Sequence, residues 1–268
     1  MSCGKSQLGG GKSQLSSGKR QLSSGKSQLD GGKNQLSSGK SKLGNGKNQL
    51  ISSVDKEQLR DAMLLYAVTD EAWLRGRTLV DCVRQAIEGG ATFVQLREKE
   101  ASHEDIVRLA REIGPLCRIA GVPFVIDDDV EAALESGADG VHVGQDDAAC
   151  TDARRMLGPD AIVGVSAQTV EQALKAQADG ADYLGVGALI PTPTKPDAVD
   201  VTYEELLAIC DAVDIPVVGI GGLNATTIGQ LAGSGADGAA VVSAIFAADD
   251  CLQATRDLRA VCERTFKR

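Results

Sequence analysis

The sequence predicts an α/β protein, a closed (β/α)8 or TIM barrel behind a low-complexity tail, and three observations carry that prediction. From about Asp55 onward, short β-branched runs alternate with amphipathic stretches, strand then helix, eight times over. Near-continuous apolar runs such as PVVGIGG (216–222) and AAVVSAI (239–245) suit parallel strands whose sheet is covered by helices. Small-residue hinges recur at GGA (89–91), SGAD (136–139), DGAD (179–182) and SGAD (234–237), where glycine supplies the left-handed cap that turns a helix back toward the next strand. An open doubly wound sheet is the alternative. Eight units of roughly 25 residues favour closure, since this barrel takes roughly 200 to 250 residues.

In order, strands are expected at 64–69, 92–97, 124–127, 140–144, 162–166, 183–187, 217–221 and 239–243. Helices are expected near 78–89, 103–120, 130–136, 151–157, 169–178, 202–212, 224–233 and 250–265. Hydrophobic residues make up 43% but aromatics only 3%, so Val, Ile, Leu and Ala must fill the core.

The first 53 residues read differently. From Gly4 the chain repeats every seven residues as GKSQLGG, GKSQLSS, GKRQLSS and onward to GKNQLIS. A coiled coil needs two apolar seam positions per heptad. These repeats generally offer one Leu, and their Gly and Ser weaken any helix. Residues 1–53 are therefore expected to be a disordered tail, with 54–268 the catalytic barrel.

Charge is divided along the same line. Residues 1–50 hold nine Lys/Arg against one acid, Asp30, which leaves 19 basic and 36 acidic residues in the remainder of a chain of net charge −9. An acidic body argues against nucleic-acid binding. It fits a protein kept soluble at high salt by its surface charge. Seven Cys without a C-x-x-C pair suggest buried thiols in a reducing cytosol rather than zinc or disulfides. No apolar run reaches the roughly 18 residues of a membrane span. The expectation is a soluble cytoplasmic protein, with room for a homo-oligomer.

In such a barrel chemistry sits at the C-terminal strand ends. In QLREK (95–99), alternation puts Gln95, Arg97 and Lys99 on one face and Leu96 and Glu98 on the other. If Leu96 packs under the helices, two cations face the barrel mouth and call for an anion. Asp127-Asp128-Asp129 and HVGQDD (142–147) cluster carboxylates at neighbouring strand ends, which suits Mg2+ or, more plainly, an acidic surface. Two histidines, His103 and His142, are too few for a catalytic zinc set. Ser166 in GVSAQT lies at a strand end, where serine commonly caps a helix. The sequence shows no histidine base beside it, so serine nucleophile chemistry is not expected. PTPTKP (191–196) is a stiff loop offering Thr192, Thr194 and Lys195 to a phosphate. GIGGLN (219–224) and VVSAI (241–245) fall where this fold binds phosphate through backbone N–H groups.

Taken in this order, QLREK, the acidic residues at 127–128, HVGQDD, GVSAQT, PTPTK, GIGGL and VVSAI resemble the thiamine-phosphate synthase family from about Leu59 to Phe266. The resemblance implies condensation of hydroxymethylpyrimidine diphosphate with a thiazole phosphate, releasing diphosphate. It implies that Gln95, Leu96, Arg97, Glu98 and Lys99, together with Asp127, Ser166 and Lys195, hold the pyrimidine diphosphate. It makes Asp128 and Asp147 ligands of a Mg2+ cofactor. Thr192, Pro193 and Thr194 match the thiazole carboxylate or phosphate region, and Gly222, Val242 and Ser243 match the thiazole-phosphate site. Arg97, Lys99, Ser166 and Lys195 match the groups that assist diphosphate departure. A thiazole tautomerase-like relative or another phosphate-binding barrel isomerase is the rival. One departure stands out: residue 127 is Asp where the family usually has Asn, so an amide donor is replaced by a group that only accepts when ionised.

Overall fold

In the computed structural model, which describes residues 56–144, 150–190 and 201–267, eight parallel strands close in sequence order into a barrel. They are β1 (Leu65–Val68), β2 (Phe93–Leu96), β3 (Phe124–Asp127), β4 (Gly140–Val143), β5 (Ile162–Ala167), β6 (Tyr183–Val186), β7 (Val217–Ile220) and β8 (Gly238–Val241). The last strand pairs back onto the first, Ala240 beside Tyr66. The helices are α1 (Lys56–Ala62), α2 (Leu79–Gly89), α3 (His103–Ala120), α4 (Val130–Ser136), α5 (Cys150–Leu157), α6 (Val170–Ala178), α7 (Tyr203–Ala212), α8 (Ser243–Phe246) and α9 (Cys251–Thr265). All of these lie in one compact unit, Asn48–Arg268; the expected tail, 1–53, lies outside the described residues.

Strand alternation sorts the core into two layers. Outward residues such as Val94, Leu96, Ile126, Val141, Val163 and Leu184 pack with the helices. Inward residues Tyr66, Val68, Phe93, Val125, Ile162, Tyr183, Val218 and Ala240 fill the barrel itself. Leu59 of α1, with Met63, joins that inner cluster, so α1 plugs the N-terminal end. The periodicity of the sequence predicts no helix there.

Helix starts follow side-chain chemistry. Thr78, Ser102, Asp129, Thr169 and Asp250 each accept a backbone N–H from the first turn, and Thr202 with Glu205 forms a full capping box. Gly90, Gly121 and Gly137 close α2, α3 and α4 in the left-handed conformation.

Two expectations need correcting. The helix expected over 224–233 is only a 3-10 turn, Ile228–Leu231. Asn224 Oδ1 takes the N–H of Thr226 at 2.9 Å and Thr227 Oγ1 takes that of Asn224 at 2.8 Å, offering the backbone a local alternative to the helix. The last strand stops at Val241, and the chain enters α8 at Ser243 rather than continuing extended.

Among the described residues all six thiols are free of disulfides. Burial pushes Cys82 and Cys150 up to about 11, and Cys117, Cys210 and Cys262 to about 12, which makes them poor nucleophiles.

Candidate active site

A cavity of about 440 Å³ opens at the C-terminal ends of the strands, and inward parity decides what lines it. Tyr66 and Val68 come from β1, Gln95 from β2 with Arg97 and Lys99 beyond it, and Asp127 from β3. His142 and Ser166 come from β4 and β5. Gly221, Gly222, Val242 and Ser243 follow β7 and β8. Several glycines in and beneath this cavity leave no room for a side chain, Gly187 and Gly221 among them. A Cβ on Gly164 would lie 2.1 Å from the Tyr183 ring, and one on Gly222 (φ +68°) would lie 2.6 Å from Ile190 Cβ.

The cationic side is held in place. Arg97 is buried (7% exposed), yet its Nε lies 3.5 Å from Asp127 Oδ2 and its Nη1 3.9 Å from Asp70 Oδ2. Its backbone N–H donates to the fully buried Thr69 hydroxyl at 3.0 Å. The neighbouring carboxylates offset the desolvation of the buried guanidinium, which still faces a cavity able to take an anion.

Two residues that the resemblance assigns to the substrate do not turn their side chains to the cavity. Leu96 is wholly buried in the outer core under the helices. Glu98 accepts from the Thr69 hydroxyl at 2.6 Å and from the Glu71 N–H at 2.7 Å. Burial drives the Glu98 carboxyl up to about 7. The physical reason in both cases is the two-residue period of the strand: only one of the two sets can face inward.

The floor joins Gln95, His142 and Ser166 through Tyr66 and Tyr183, two groups that lie outside the motifs. Gln95 Nε2 donates to Tyr66 OH at 2.9 Å, and the hydroxyls of Tyr66 and Tyr183 are 2.7 Å apart. Tyr183 OH lies 3.0 Å from His142 Nδ1, and His142 Nε2 lies 3.0 Å from Ser166 Oγ. The expectation that Ser166 has no histidine beside it is therefore overturned. His142 faces Gly164 across the β4–β5 ladder, which brings it next to Ser166 two residues on. Nor does Ser166 cap a helix; Thr169 caps α6. A signal was available, since Tyr66 and Tyr183 are two of only three tyrosines and stand in otherwise apolar strands.

At the end of β3, Asp128 is exposed and left-handed (φ +61°), with its N–H donating to the His142 carbonyl at 2.8 Å. Its neighbour Asp129 caps α4 and takes His103 Nδ1 at 2.7 Å. Among the described residues no group of three or more His, Cys, Asp or Glu is placed to hold a metal. Asp147, Thr192, Pro193, Thr194 and Lys195 lie outside the described residues.

The family described as thiamine monophosphate synthase matches residues 65–245. A thiamine-phosphate synthase of Chloroflexus aurantiacus is 49% identical over 202 residues, which is 75% of this chain and 93% of the relative. One from Ruminiclostridium cellulolyticum is 50% identical over 186 residues, 69% of this chain and 89% of the relative. The solved structure of a thiamine phosphate pyrophosphorylase from Pyrococcus furiosus superposes with a TM-score of 0.72 at 38% identity, covering 77% of this chain and 98% of that one. A 3-hexulose-6-phosphate synthase structure, at 20% identity and a TM-score of 0.54, shares the fold alone. With the match spanning every strand of the barrel, the chain belongs to the thiamine monophosphate synthase family.

Proposed function

We propose that the chain condenses 4-amino-2-methyl-5-(diphosphooxymethyl)pyrimidine with a thiazole phosphate to give thiamine phosphate and diphosphate. One observation carries the reading: a buried arginine, Arg97, opens with Gln95, Lys99 and Ser166 onto the same cavity as Gly222, Val242 and Ser243. That arrangement offers one end for a diphosphate and one for a second phosphate.

In this reading Gln95 and Asp127 orient the aminopyrimidine, while Arg97, Lys99, Ser166 and Lys195 take the diphosphate. The C–O bond between methylene and diphosphate breaks, its electron pair leaving with the diphosphate. The aminopyrimidine supports the positive charge left on the methylene, and the thiazole nitrogen supplies the pair for the new C–N bond. The backbone at Gly222, Val242 and Ser243, with the loop holding Thr192, Pro193 and Thr194, seats the thiazole phosphate. No protein nucleophile is consumed, so the side chains contribute positioning and electrostatics.

Asp128 and Asp147 would hold Mg2+, and their hard carboxylate oxygens fit that ion; Asp128 stands exposed directly after Asp127, which lines the cavity. When bound, Mg2+ neutralises charge on the departing diphosphate. Incubating both substrates with Mg2+ should yield thiamine phosphate, and EDTA should stop it. Asp128→Ala should abolish Mg2+-dependent turnover with an unchanged circular dichroism spectrum. Full activity in that variant removes Asp128 from the metal site, and no product from the wild type defeats the reading.

A further inference from the structure

Five polar side chains cross the cavity floor in a single file: Gln95, Tyr66, Tyr183, His142 and Ser166, each 2.7–3.0 Å from the next. Their chemistry allows the file to run from Gln95 toward Ser166. The Gln95 Nε2 amide can only donate, so the Tyr66 oxygen accepts from it. Either phenol of this pair can donate; with the Tyr66 proton given to the Tyr183 oxygen, the file runs away from Gln95. The Tyr183 proton is then directed at His142 Nδ1. An imidazole that accepts at Nδ1 carries its hydrogen at Nε2, which makes His142 the donor to Ser166 Oγ. Ser166 accepts from the histidine, so its own hydrogen points elsewhere.

We propose that Gln95, Tyr66 and Tyr183 lock His142 in the Nε2–H tautomer, and that His142 is a positioning residue which presents the Ser166 hydroxyl as a donor to the diphosphate of the pyrimidine substrate. The proposal rests on the function given above. It goes beyond it by assigning roles to His142, Tyr66 and Tyr183. Burial holds both phenols well above their ordinary range and so keeps them protonated, as a file of donors requires. Packing supports the file too. The Tyr66 and Phe93 ring centroids are 4.4 Å apart, Phe93 and Tyr183 5.5 Å, and His142 and Tyr183 5.4 Å, so ring packing fixes the Tyr66, Tyr183 and His142 side chains relative to one another. The opposite tautomer would turn Ser166 into a donor to His142 and point an oxygen lone pair at an anion. A lost charge-assisted hydrogen bond of this kind costs about 10- to 100-fold in rate.

The full chain holds two histidines, so a long-range 1H–15N spectrum of the 15N-labelled protein contains two imidazole patterns, and His103→Gln identifies the one from His142. The expected pattern for His142, without substrates, is a neutral Nε2–H ring. A neutral Nδ1–H ring, or a protonated one at neutral pH, overturns the relay, and this needs no variant at the floor. Tyr183→Phe should lose the pure Nε2–H pattern and lower kcat by about tenfold while leaving KM for the thiazole phosphate unchanged. An unchanged tautomer and rate in that variant also overturns the proposal. A wild-type chain that couples the substrates with the opposite tautomer overturns the relay alone. One that shows the expected tautomer but forms no thiamine phosphate overturns the function, and with it the target assigned to Ser166.

Discussion

Asp127 sets the chain's own variation on the site, because its carboxylate sits 3.5 Å from the Arg97 Nε, where it competes with any anionic substrate for that cation. Asp127→Asn removes a negative charge from the cavity and should lower KM for the pyrimidine diphosphate several-fold, more at low salt than at high. Equal KM values at low ionic strength would show that Arg97 does not meet the diphosphate. Glu98, on the opposite strand parity to Gln95 and Arg97 and so turned away from the cavity, makes a separate prediction about stability. Its folded pKa, about 7, lies above the ordinary value of 4.5, so the folded chain binds the proton more tightly. The sign follows: the stabilisation is complete below pH 4.5 and is lost as pH rises through 7. Because Glu98 is only partly buried, solvent screening reduces the effect to about 1 kcal/mol. Glu98→Gln should therefore gain on the wild type by about that amount between about pH 5 and about pH 8 in urea unfolding. The hydrogen bonds it weakens at Thr69 and Glu71 cancel in that comparison, and parallel pH profiles would refute the assignment.

At the scale of elements, the GAD hinges do more than end helices. Asp139, Asp182 and Asp237 each accept, at 2.8, 2.7 and 2.9 Å, an N–H at the start of the preceding strand, from Phe124, Val163 and Val217. Each also returns its own N–H to the carbonyl of that same residue. Thr92 does the same for Leu65, with a hydroxyl in place of the carboxylate. The N-terminal rim is thus stitched strand to strand by a repeated side chain. Asp139→Ala strands the Phe124 N–H and should cost about 1–3 kcal/mol in denaturant unfolding. Since this rim is opposite the cavity, kcat per folded molecule should not change, and a large loss of kcat would contradict that separation. The glycines of these hinges were legible because a left-handed cap is a local requirement; the aspartates' role was not, because their partners lie 15 to 20 residues away. The same limit explains why Gln95, Arg97 and Lys99 were readable as an inward-facing set while His142 beside Ser166 was not: strand parity is local, but that contact depends on the register between β4 and β5. It also explains α1, whose apolar residue Leu59 seals an opening that exists once the barrel has closed.

Over the whole molecule, the sequence divides into a basic repeat and an acidic barrel, and the two carry opposite expectations. The eight strands, the cavity and the family match all fall within residues 65–245, so nothing identified in the site draws on the first 53 residues. Repeats with one Leu, recurrent Gly and a Lys or two are expected, from composition, to bury too little apolar surface to offset the entropy of ordering them. Deleting residues 1–53 should then leave kcat and both KM values within about twofold at moderate ionic strength, where the Debye length is roughly 8–10 Å. The sensitive comparison is at low salt. Nine basic residues lost from the tail leave a chain of 19 basic and 36 acidic residues, whose field repels two anionic substrates from a distance. If the tail offsets that field, the truncated chain should show a lower kcat/KM at low ionic strength, with the difference vanishing as salt is added. A loss of kcat that persists at high salt would instead make the repeat part of the catalytic machinery.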